Sequence, residues 1–295
     1  MEGGGAAGRV LISEEEEPPE TARLVLRTSF VPERAGSDKM ASPRGTGRLD
    51  RPPLPKLVLF DLDDTIFDHS LTCRGALGKL RQEHAVLRGG TLDEAWHEYG
   101  RLLGITHPDV MLGRRTSDDA RVERFRRLAG WSGHSVDQDT AASLSRTYRD
   151  YYQQLRRPVP GAPELLHRLQ GRAKIGVVTN NTVTEQEEKL EFLGLEPVVD
   201  YLVTSEEVGA AKPNPAIFRA ALERAGVTSG EAVMVGDSWT SDILGAANAG
   251  IRAVWFNRFR VARPTGFEVP EFATFRTPRR VERLLATPLR PSAAS

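Results

Sequence analysis

The sequence predicts an α/β fold, a doubly wound parallel sheet with a helical segment inserted just after its first strand. Two observations support this prediction. Short apolar runs alternate with amphipathic helical patterns through the second half of the chain, as expected for parallel strands whose two faces are covered by helices. A strand pattern also stands alone at Leu57–Phe60, and from 70 to 155 the patterns that follow it are helical.

The first strand, Leu57–Phe60, is a short apolar run that ends in acidic residues. Its length and its branched side chains predict a parallel strand that is buried on both faces. The remaining strands have the same character and are predicted at Lys174–Val178, Tyr201–Thr204, Ala232–Val235 and Ala253–Phe256.

The helices are predicted from apolar residues that recur with helical spacing between Gly, Pro and Ser breaks. They divide the ordered chain into a core, residues 54–69 and 156–290, and a helical insertion, residues 70–155. Helices of the insertion are predicted at Leu71–Leu87, Leu92–Leu103, Ala120–Leu128 and Ala141–Leu155, and those of the core at Glu185–Leu193, Pro215–Ala225, Ile243–Ala249 and shortly after Pro278.

Residues 1–53 differ in composition from the rest of the chain. Gly3–Gly5, the acidic run Glu14–Glu17 and two Pro-Pro pairs interrupt every periodic pattern. Such a segment buries too little apolar surface to offset the entropy lost on ordering. We therefore predict a disordered N-terminal extension, and we hypothesise that Met40 is the native start.

The composition excludes several classes of protein. Forty basic and 40 acidic residues give a formal net charge of zero, so no global field attracts nucleic acid or an anionic membrane. The single cysteine, Cys73, excludes an internal disulfide framework. No apolar run is long enough to span a membrane, and acidic residues stand where a secretory signal needs an apolar core. We expect a cytoplasmic protein, a monomer or a homodimer.

Polar residues follow four of the predicted strands, and in a parallel sheet ligands bind beyond the carboxyl ends of the strands. We therefore expect these residues to converge on one edge. They are Asp61 and Asp63 after the first strand, Thr179 and Asn180 after the second, Lys212 in the loop after the third, and Asp237 and Asp242 after the fourth.

This set of residues fits phosphoryl transfer. Acids clustered at Asp61, Asp63 and Asp237 repel one another unless a cation lies among them, and oxygen ligands favour Mg²⁺. Asp61 is then the nucleophile that attacks phosphorus, and Asp63 protonates the leaving oxygen and later deprotonates a water molecule. We predict that Thr179, Asn180 and Lys212 hold the phosphate oxygens.

The four segments resemble the ordered motifs of the haloacid dehalogenase-like hydrolase superfamily. The resemblance spans about 57–258 and rests on Phe60–Phe67, Val178–Asn181, Ala211–Pro213, and Val235–Ser238 with Asp242. It implies a Rossmann-like core, a mobile helical cap formed by the insertion, an aspartyl-phosphate intermediate and bound Mg²⁺. It also implies metal ligands from the Asp61 side chain, the Asp63 backbone carbonyl and Asp237, with Asp242 orienting Lys212.

Asp63 bears on the reaction type, because dehalogenating members that resemble this pattern lack an acid at its position. The resemblance therefore favours ester hydrolysis over dehalogenation. The sequence segments Val233–Trp239, Asp242–Ala246 and Trp255–Arg258 most resemble those of pyrimidine 5′-nucleotidase-like members.

The leading hypothesis is a Mg²⁺-dependent phosphatase of a small phosphorylated metabolite, either a nucleoside monophosphate or a sugar phosphate. The alternatives are a phosphosugar mutase, which returns the phosphate to the sugar, and a non-catalytic binding protein on the same fold. No nucleic-acid or membrane partner is expected.

Two features near the motifs are open to both functional and structural interpretations. A solvated helix face paired with nearby acids is expected for the arginine-rich stretch at Arg114–Arg115 and Arg121–Arg127, and contact with an anionic substrate is the alternative. His69 is expected on an exposed loop, with substrate contact as the alternative.

Overall fold

The structure is a computed structural model, and it describes residues 54–264, 266 and 268–286. The predicted N-terminal extension and the hypothesised start at Met40 lie outside these residues. Within the described part of the chain, no helix is long and apolar enough to cross a membrane.

A six-stranded parallel sheet forms the centre of the core, with the strand order β3-β2-β1-β4-β5-β6. The first strand, β1, pairs with β2 on one side and with β4 on the other, so that Leu57 lies opposite both Lys174 and Ala232. The strands are β1 (Leu57–Phe60), β2 (Lys174–Thr179), β3 (Tyr201–Thr204), β4 (Ala232–Gly236), β5 (Arg252–Phe256) and β6 (Glu271–Phe272).

Both faces of this sheet are buried, because alternate residues of each strand pack against helices on opposite sides. Val58 and Phe60 of β1 belong to one apolar cluster with the helices α6 (Ala162–Leu169), α7 (Val183–Phe192) and α11 (Pro278–Ala286). Leu57 and Leu59 belong to a second cluster with the helix α9 (Pro215–Ala225). This layering confirms the predicted doubly wound α/β fold.

The chain between β1 and β2 forms a helical insertion with an apolar cluster of its own, as predicted. That cluster contains Leu77, Tyr99, Phe125 and Leu144, all nearly inaccessible to solvent. The helices of the insertion are α1 (His69–Glu83), α2 (Leu92–Thr106), α3 (Pro108–Met111), α4 (Ser117–Trp131) and α5 (Gln138–Leu155), with a 3₁₀ turn at Ala85–Leu87.

Side-chain caps set where several of these helices begin. Thr91 and Glu94 form a reciprocal capping box at the start of α2, and Thr116 accepts a hydrogen bond from the Asp119 backbone N–H at the start of α4. Asp137 caps α5 in the same way. These caps extend α4 and α5 a few residues before the apolar positions from which the helices were predicted.

Several short elements do not appear in the sequence prediction. Strand β6 and the one-turn helices α3 and α8 (Ser205–Val208) are too short to show a period, and α6 was also missed. The predicted helix Ile243–Ala249 is instead a π-helical turn, Trp239–Leu244, followed by the short helix α10 (Gly245–Asn248). Single π-helical turns are rare and occur frequently at functional sites.

Candidate active site

The carboxyl edge of the sheet brings Asp61 and Asp237 together, because they follow the adjacent strands β1 and β4. The Asp61 backbone N–H donates to the Val235 carbonyl at 2.9 Å, which extends the pairing of the two strands to the site. The Thr65 hydroxyl lies within 3.2 Å of an Asp61 carboxylate oxygen and 3.3 Å of an Asp237 oxygen. The two acids are thus held on either side of one hydroxyl.

Lys212 reaches this edge from the loop after α8 and is almost completely buried. Its Nζ lies 2.6 Å from a carboxylate oxygen of Asp61 and 2.6 Å from one of Asp242, and it donates to the Val178 carbonyl at 2.9 Å. Burial alone lowers the pKa of Lys212, but Asp242 and Asp61 outweigh burial and raise it. The ammonium group therefore stays charged between its two carboxylates.

Asp242 is positioned by the π-helical turn that follows β4. Its second carboxylate oxygen accepts a hydrogen bond from the Ser238 backbone N–H at 3.0 Å. A Cβ added at Gly236 would lie 2.2 Å from that oxygen, so only glycine leaves space for Asp242 here. The geometry agrees with the predicted contact between Asp242 and Lys212.

Asp61, Asp237 and Asp242 form an acidic cluster that suits a divalent cation. One oxygen from each of the three carboxylates lies within 4.8 Å of the others. Burial raises the pKa of Asp61 to about 7; Lys212 opposes this change and the charge of Asp242 adds to it. Burial, Asp64 and Asp61 raise the pKa of Asp237. Buried like charges of this kind, with oxygen donors, fit a hard ion such as Mg²⁺.

Asp63 lies beside this cluster, but its side chain turns towards α7. Lys189 Nζ lies 2.7 and 2.8 Å from the two carboxylate oxygens of Asp63, and Gln186 Nε2 donates to one of them at 3.1 Å. Burial raises the pKa of Asp63, but the charges of Lys189 and His69 and the hydrogen bonds from Lys189 and Gln186 together outweigh burial and lower it, so Asp63 is ionised in this arrangement. Sequence reasoning did not identify Lys189 or Gln186 as part of the site.

Thr179 and Asn180, at the end of β2, are both engaged by protein groups. The Thr179 hydroxyl accepts from Gln186 Nε2 at 2.6 Å. The Asn180 side chain donates to the Lys212 carbonyl at 2.9 Å and accepts from the Lys212 backbone N–H at 2.6 Å. Asn180 therefore fixes the loop that carries Lys212, and a direct contact from its side chain to phosphate stays a prediction.

A cavity of about 470 Å³ lies between this edge of the sheet and the helical insertion. On the core side it is lined by Asp61, Asp63 and Lys212, and on the side of the insertion by residues of α1, α2, α4 and α5. His69 was expected on an exposed loop, but it begins α1, lies 3.6 Å from Asp63 and lines the cavity.

The arginine-rich stretch of α4 was expected to be a solvated face, and for two of its members this is wrong. Arg121 and Arg124 are 9% and 5% exposed, and both line the cavity. Arg121 lies 2.6 Å from Asp118 and 3.2 Å from Glu185 of α7. Arg126 and Arg127 are exposed and pair with Glu123, as predicted.

Three ion pairs connect the insertion to the core across the cavity in the described part of the chain. Arg121 contacts Glu185, and Arg149 of α5 contacts Glu188 at 3.1 Å and Glu185 at 3.8 Å. Glu185 also accepts a hydrogen bond from Asn181 at 3.0 Å. The Ser205 hydroxyl donates to the Met111 carbonyl at 2.5 Å, which adds a hydrogen bond between the two parts.

Comparison with known proteins points to one family. The family model described as haloacid dehalogenase-like hydrolase matches residues 55–250. A pyrimidine 5′-nucleotidase of Escherichia coli, YjjG, is 49% identical over 110 residues, which make up 37% of this chain but only about half of that protein, 49%. A glyceraldehyde 3-phosphate phosphatase of Methanothermobacter thermautotrophicus is 32% identical over 206 residues, covering 68% of this chain and 85% of that protein.

Solved structures agree with these relatives. A HAD-hydrolase of Bacillus subtilis, YfnB, solved with bound magnesium, superimposes with a TM-score of 0.64 at 25% sequence identity. The superposition covers 79% of this chain and 100% of that protein. A HAD phosphatase of Thermococcus onnurineus gives a TM-score of 0.50 at 31% identity, covering 77% of this chain and 97% of that one.

Proposed function

This chain belongs to the haloacid dehalogenase-like hydrolases, and from that membership we propose that it is a phosphatase of a small phosphomonoester with Asp61 as its nucleophile. The observation that carries the proposal is the buried contact of Asp61 with Lys212 inside the acidic cluster. The Asp61 carboxylate lines the cavity and is held there by the Lys212 ammonium group, so it is placed to react with a bound substrate. Relatives named as phosphatases and nucleotidases support the same reaction class.

In the proposed mechanism, the Asp61 carboxylate attacks phosphorus and the ester P–O bond breaks. The leaving oxygen takes a proton from Asp63, and an aspartyl-phosphate forms on Asp61. Asp63 then accepts a proton from the water molecule that attacks this intermediate, and phosphate leaves. Lys212 and Thr179 hold the phosphoryl oxygens in both steps.

Mg²⁺ would be held by Asp61, Asp237 and the Asp63 backbone carbonyl, and it would neutralise the charge of the phosphoryl group. Asp242 keeps Lys212 in place beside Asp61. Lys189 holds Asp63 as a carboxylate, which is the form that deprotonates water in the second step. Donation in the first step requires a proton on Asp63, so we expect substrate to weaken the contact with Lys189.

The substrate we propose is a nucleoside monophosphate or a sugar phosphate that the helical cap encloses. A cavity of about 470 Å³ is in the range of small-molecule sites. Enclosure by a cap excludes water from the reacting centre and adds groups that select the substrate. The cytoplasmic location and the monomeric or homodimeric state of the protein stay predictions.

Phosphate release from a panel of phosphorylated metabolites, with Mg²⁺ and with chelator, tests the proposal. We expect metal-dependent release by the wild type and by Asp93→Asn, a variant at an exposed position of α2, and none beyond trace by Asp61→Asn. Full activity of Asp61→Asn would refute the nucleophile assignment. Release that is slow and depends on a bisphosphate activator would instead indicate the mutase, and absence of both activities with Mg²⁺ still bound would indicate a binding protein.

A further inference from the structure

Arg124 of α4 lines the cavity on the side of the helical insertion, where it meets only neutral partners. Its Nε–H donates to the Thr106 hydroxyl at 3.2 Å and its Nη1 to the Tyr99 hydroxyl at 2.8 Å. The guanidinium carbon lies 5.1 Å from the centre of the Tyr99 ring. Nη2 has no hydrogen-bond partner among the described residues, although Arg124 is only 5% exposed.

No carboxylate compensates the charge of Arg124. Within the described part of the chain, no carboxylate oxygen lies within 4.0 Å of a guanidinium nitrogen of Arg124, the distance that defines an ion pair. The acids of the same cavity contact other cations, since Glu185 pairs with Arg121 and Glu188 with Arg149. Arg124 thus differs from its cavity neighbours Arg121 and Arg149, which have acid partners. An unpaired buried charge is costly unless something else neutralises it.

Tyr148 of α5 also lines this cavity and carries a second unsatisfied group, a hydroxyl that is itself buried. The residue is 3% exposed, and its hydroxyl makes no hydrogen bond of normal geometry although Tyr99 and Cys73 are nearby. Its ring lies 5.6 Å from that of Tyr99, which itself contacts Arg124. A guanidinium N–H and a hydroxyl, both without a hydrogen-bond partner, therefore belong to residues that contact Tyr99.

We propose that Arg124 and Tyr148 form a subsite for a second anionic group of the substrate, a carboxylate or a phosphate, at the cap side of the cavity. This inference rests on the proposed function, in which Asp61 and Lys212 receive the scissile phosphate at the core side. A guanidinium offers parallel N–H donors that match a carboxylate or phosphate, and such contacts are stronger than those to neutral acceptors. An anion satisfies both open groups and also compensates the buried charge.

A purely structural role for Arg124 explains less. The contacts with Thr106 and Tyr99 do connect α2 to α4, so part of the residue's function is to hold the insertion together. Neutral hydrogen-bonding side chains would serve that purpose without burying a charge. The structural role also leaves the open Tyr148 hydroxyl unexplained, and it gives no reason for both groups to line the cavity.

The test that does not depend on turnover is a comparison of non-hydrolysable phosphonates by calorimetry in the presence of Mg²⁺. One series carries a terminal carboxylate, a second a terminal phosphonate and a third a terminal methyl group, each with chains of two to five methylene groups. We expect wild type to bind at least one anionic member about tenfold to a hundredfold more tightly than its methyl counterpart. The first two series separate carboxylate from phosphate as the preferred anion.

The variants assign that preference to the subsite. Arg124→Gln and Tyr148→Phe are each expected to reduce the preference at least severalfold, whereas Arg126→Gln, an exposed arginine of the same helix, leaves it unchanged. Tyr148→Phe removes a hydroxyl that makes no hydrogen bond, so it keeps the test valid if Arg124→Gln fails to fold. A wild type without preference, or a preference that survives both substitutions, would overturn the inference.

The inference and the proposed function fail in distinguishable ways. Asp61→Asn is expected to lose phosphate release while it keeps the preference for anionic phosphonates. Phosphate release without an anion preference would overturn the subsite and leave the phosphatase intact. An anion preference without release from any metabolite would leave the subsite and remove the phosphatase.

Discussion

Glu185 of α7 is a core residue that contacts arginines of the helical cap. Its side chain is 19% exposed and lies 3.2 Å from Arg121 of the insertion and 3.8 Å from Arg149. Burial raises the pKa of Glu185, but Lys189 and then Arg121 outweigh burial and lower it to about 2. The substitution Glu185→Gln removes this charge and keeps the shape of the side chain.

The expected cost follows from the pKa of Glu185. The difference between its ordinary value of 4.5 and the folded value of about 2 corresponds to about 3 kcal/mol. Because the pKa is lower in the folded protein, this stability is fully present above pH 4.5 and is lost as the pH falls through 2. By the same relation, less than half of this contribution remains at pH 3. Glutamine still accepts from Asn181, so we expect about 2–3 kcal/mol at pH 7.

Urea denaturation of wild type and Glu185→Gln between pH 7 and pH 3 measures this difference in the free energy of unfolding. Glu188→Gln, on the same helix, is the matched control, because Glu188 is 40% exposed and its pair with Arg149 is expected to contribute under about 1 kcal/mol. A difference for Glu185→Gln no larger than that of the control, or one that does not shrink towards pH 3, would refute the reasoning.

Three further predictions concern the acidic cluster. Lys212→Met leaves the carboxylates of Asp61 and Asp242 buried without compensation, and we expect a loss of about 3–5 kcal/mol of stability in thermal denaturation at pH 8; an unchanged melting temperature would contradict the burial of the pair. Gly236→Ala is expected to displace Asp242 and to reduce kcat by at least about tenfold. Wild-type kinetics would show instead that the backbone shifts to accommodate the added methyl group. Mg²⁺ is expected to raise the melting temperature of the wild type but not of Asp237→Asn, and chelator is expected to reverse the rise; equal shifts would place the ion elsewhere.

The sequence predicted the carboxyl edge of the sheet because that edge follows from local patterns. Each strand is a short apolar run, and in a parallel sheet the residues after such runs must meet at the same edge. The convergence of Lys212 and Asp61 on this edge could be anticipated in this way, whereas the contact of Lys212 with Asp242 was implied by the family resemblance. The π-helical turn that carries Asp242 could not, since it depends on tertiary contacts of that carboxylate.

The polar residues of α7 that hold Asp63 were missed because they lie within a helix rather than at a strand end. Gln186 and Lys189 of α7 share a helix face with Leu190, and all three are buried. Their spacing places polar side chains in the stripe that should be apolar. That spacing was the available signal, and it identifies the pair that holds Asp63.

The same signal, polar residues within the apolar stripe of a helix, is present in α4 on the insertion side of the cavity. Arg121 and Arg124 precede Phe125 and Leu128 at the spacing of one buried helix face, and all four are buried. The abundance of nearby acids suggested a solvated face, and for Arg126 and Arg127 that is what the structure shows. Position in the apolar stripe, rather than the number of neighbouring acids, separates the buried arginines from the exposed ones.

The two walls together determine what length of substrate the cavity can accept. The groups proposed to bind the scissile phosphate belong to the core, and Arg124 and Tyr148 belong to the insertion. The separation of the two subsites therefore depends on the contacts between insertion and core, chiefly the pair of Arg121 with Glu185. Tyr152 packs against the apolar clusters of both parts, and the other contacts described above are ion pairs and a hydrogen bond. We expect a cap held in this way to open at a modest energetic cost, and we expect its closed position to select the length of the substrate.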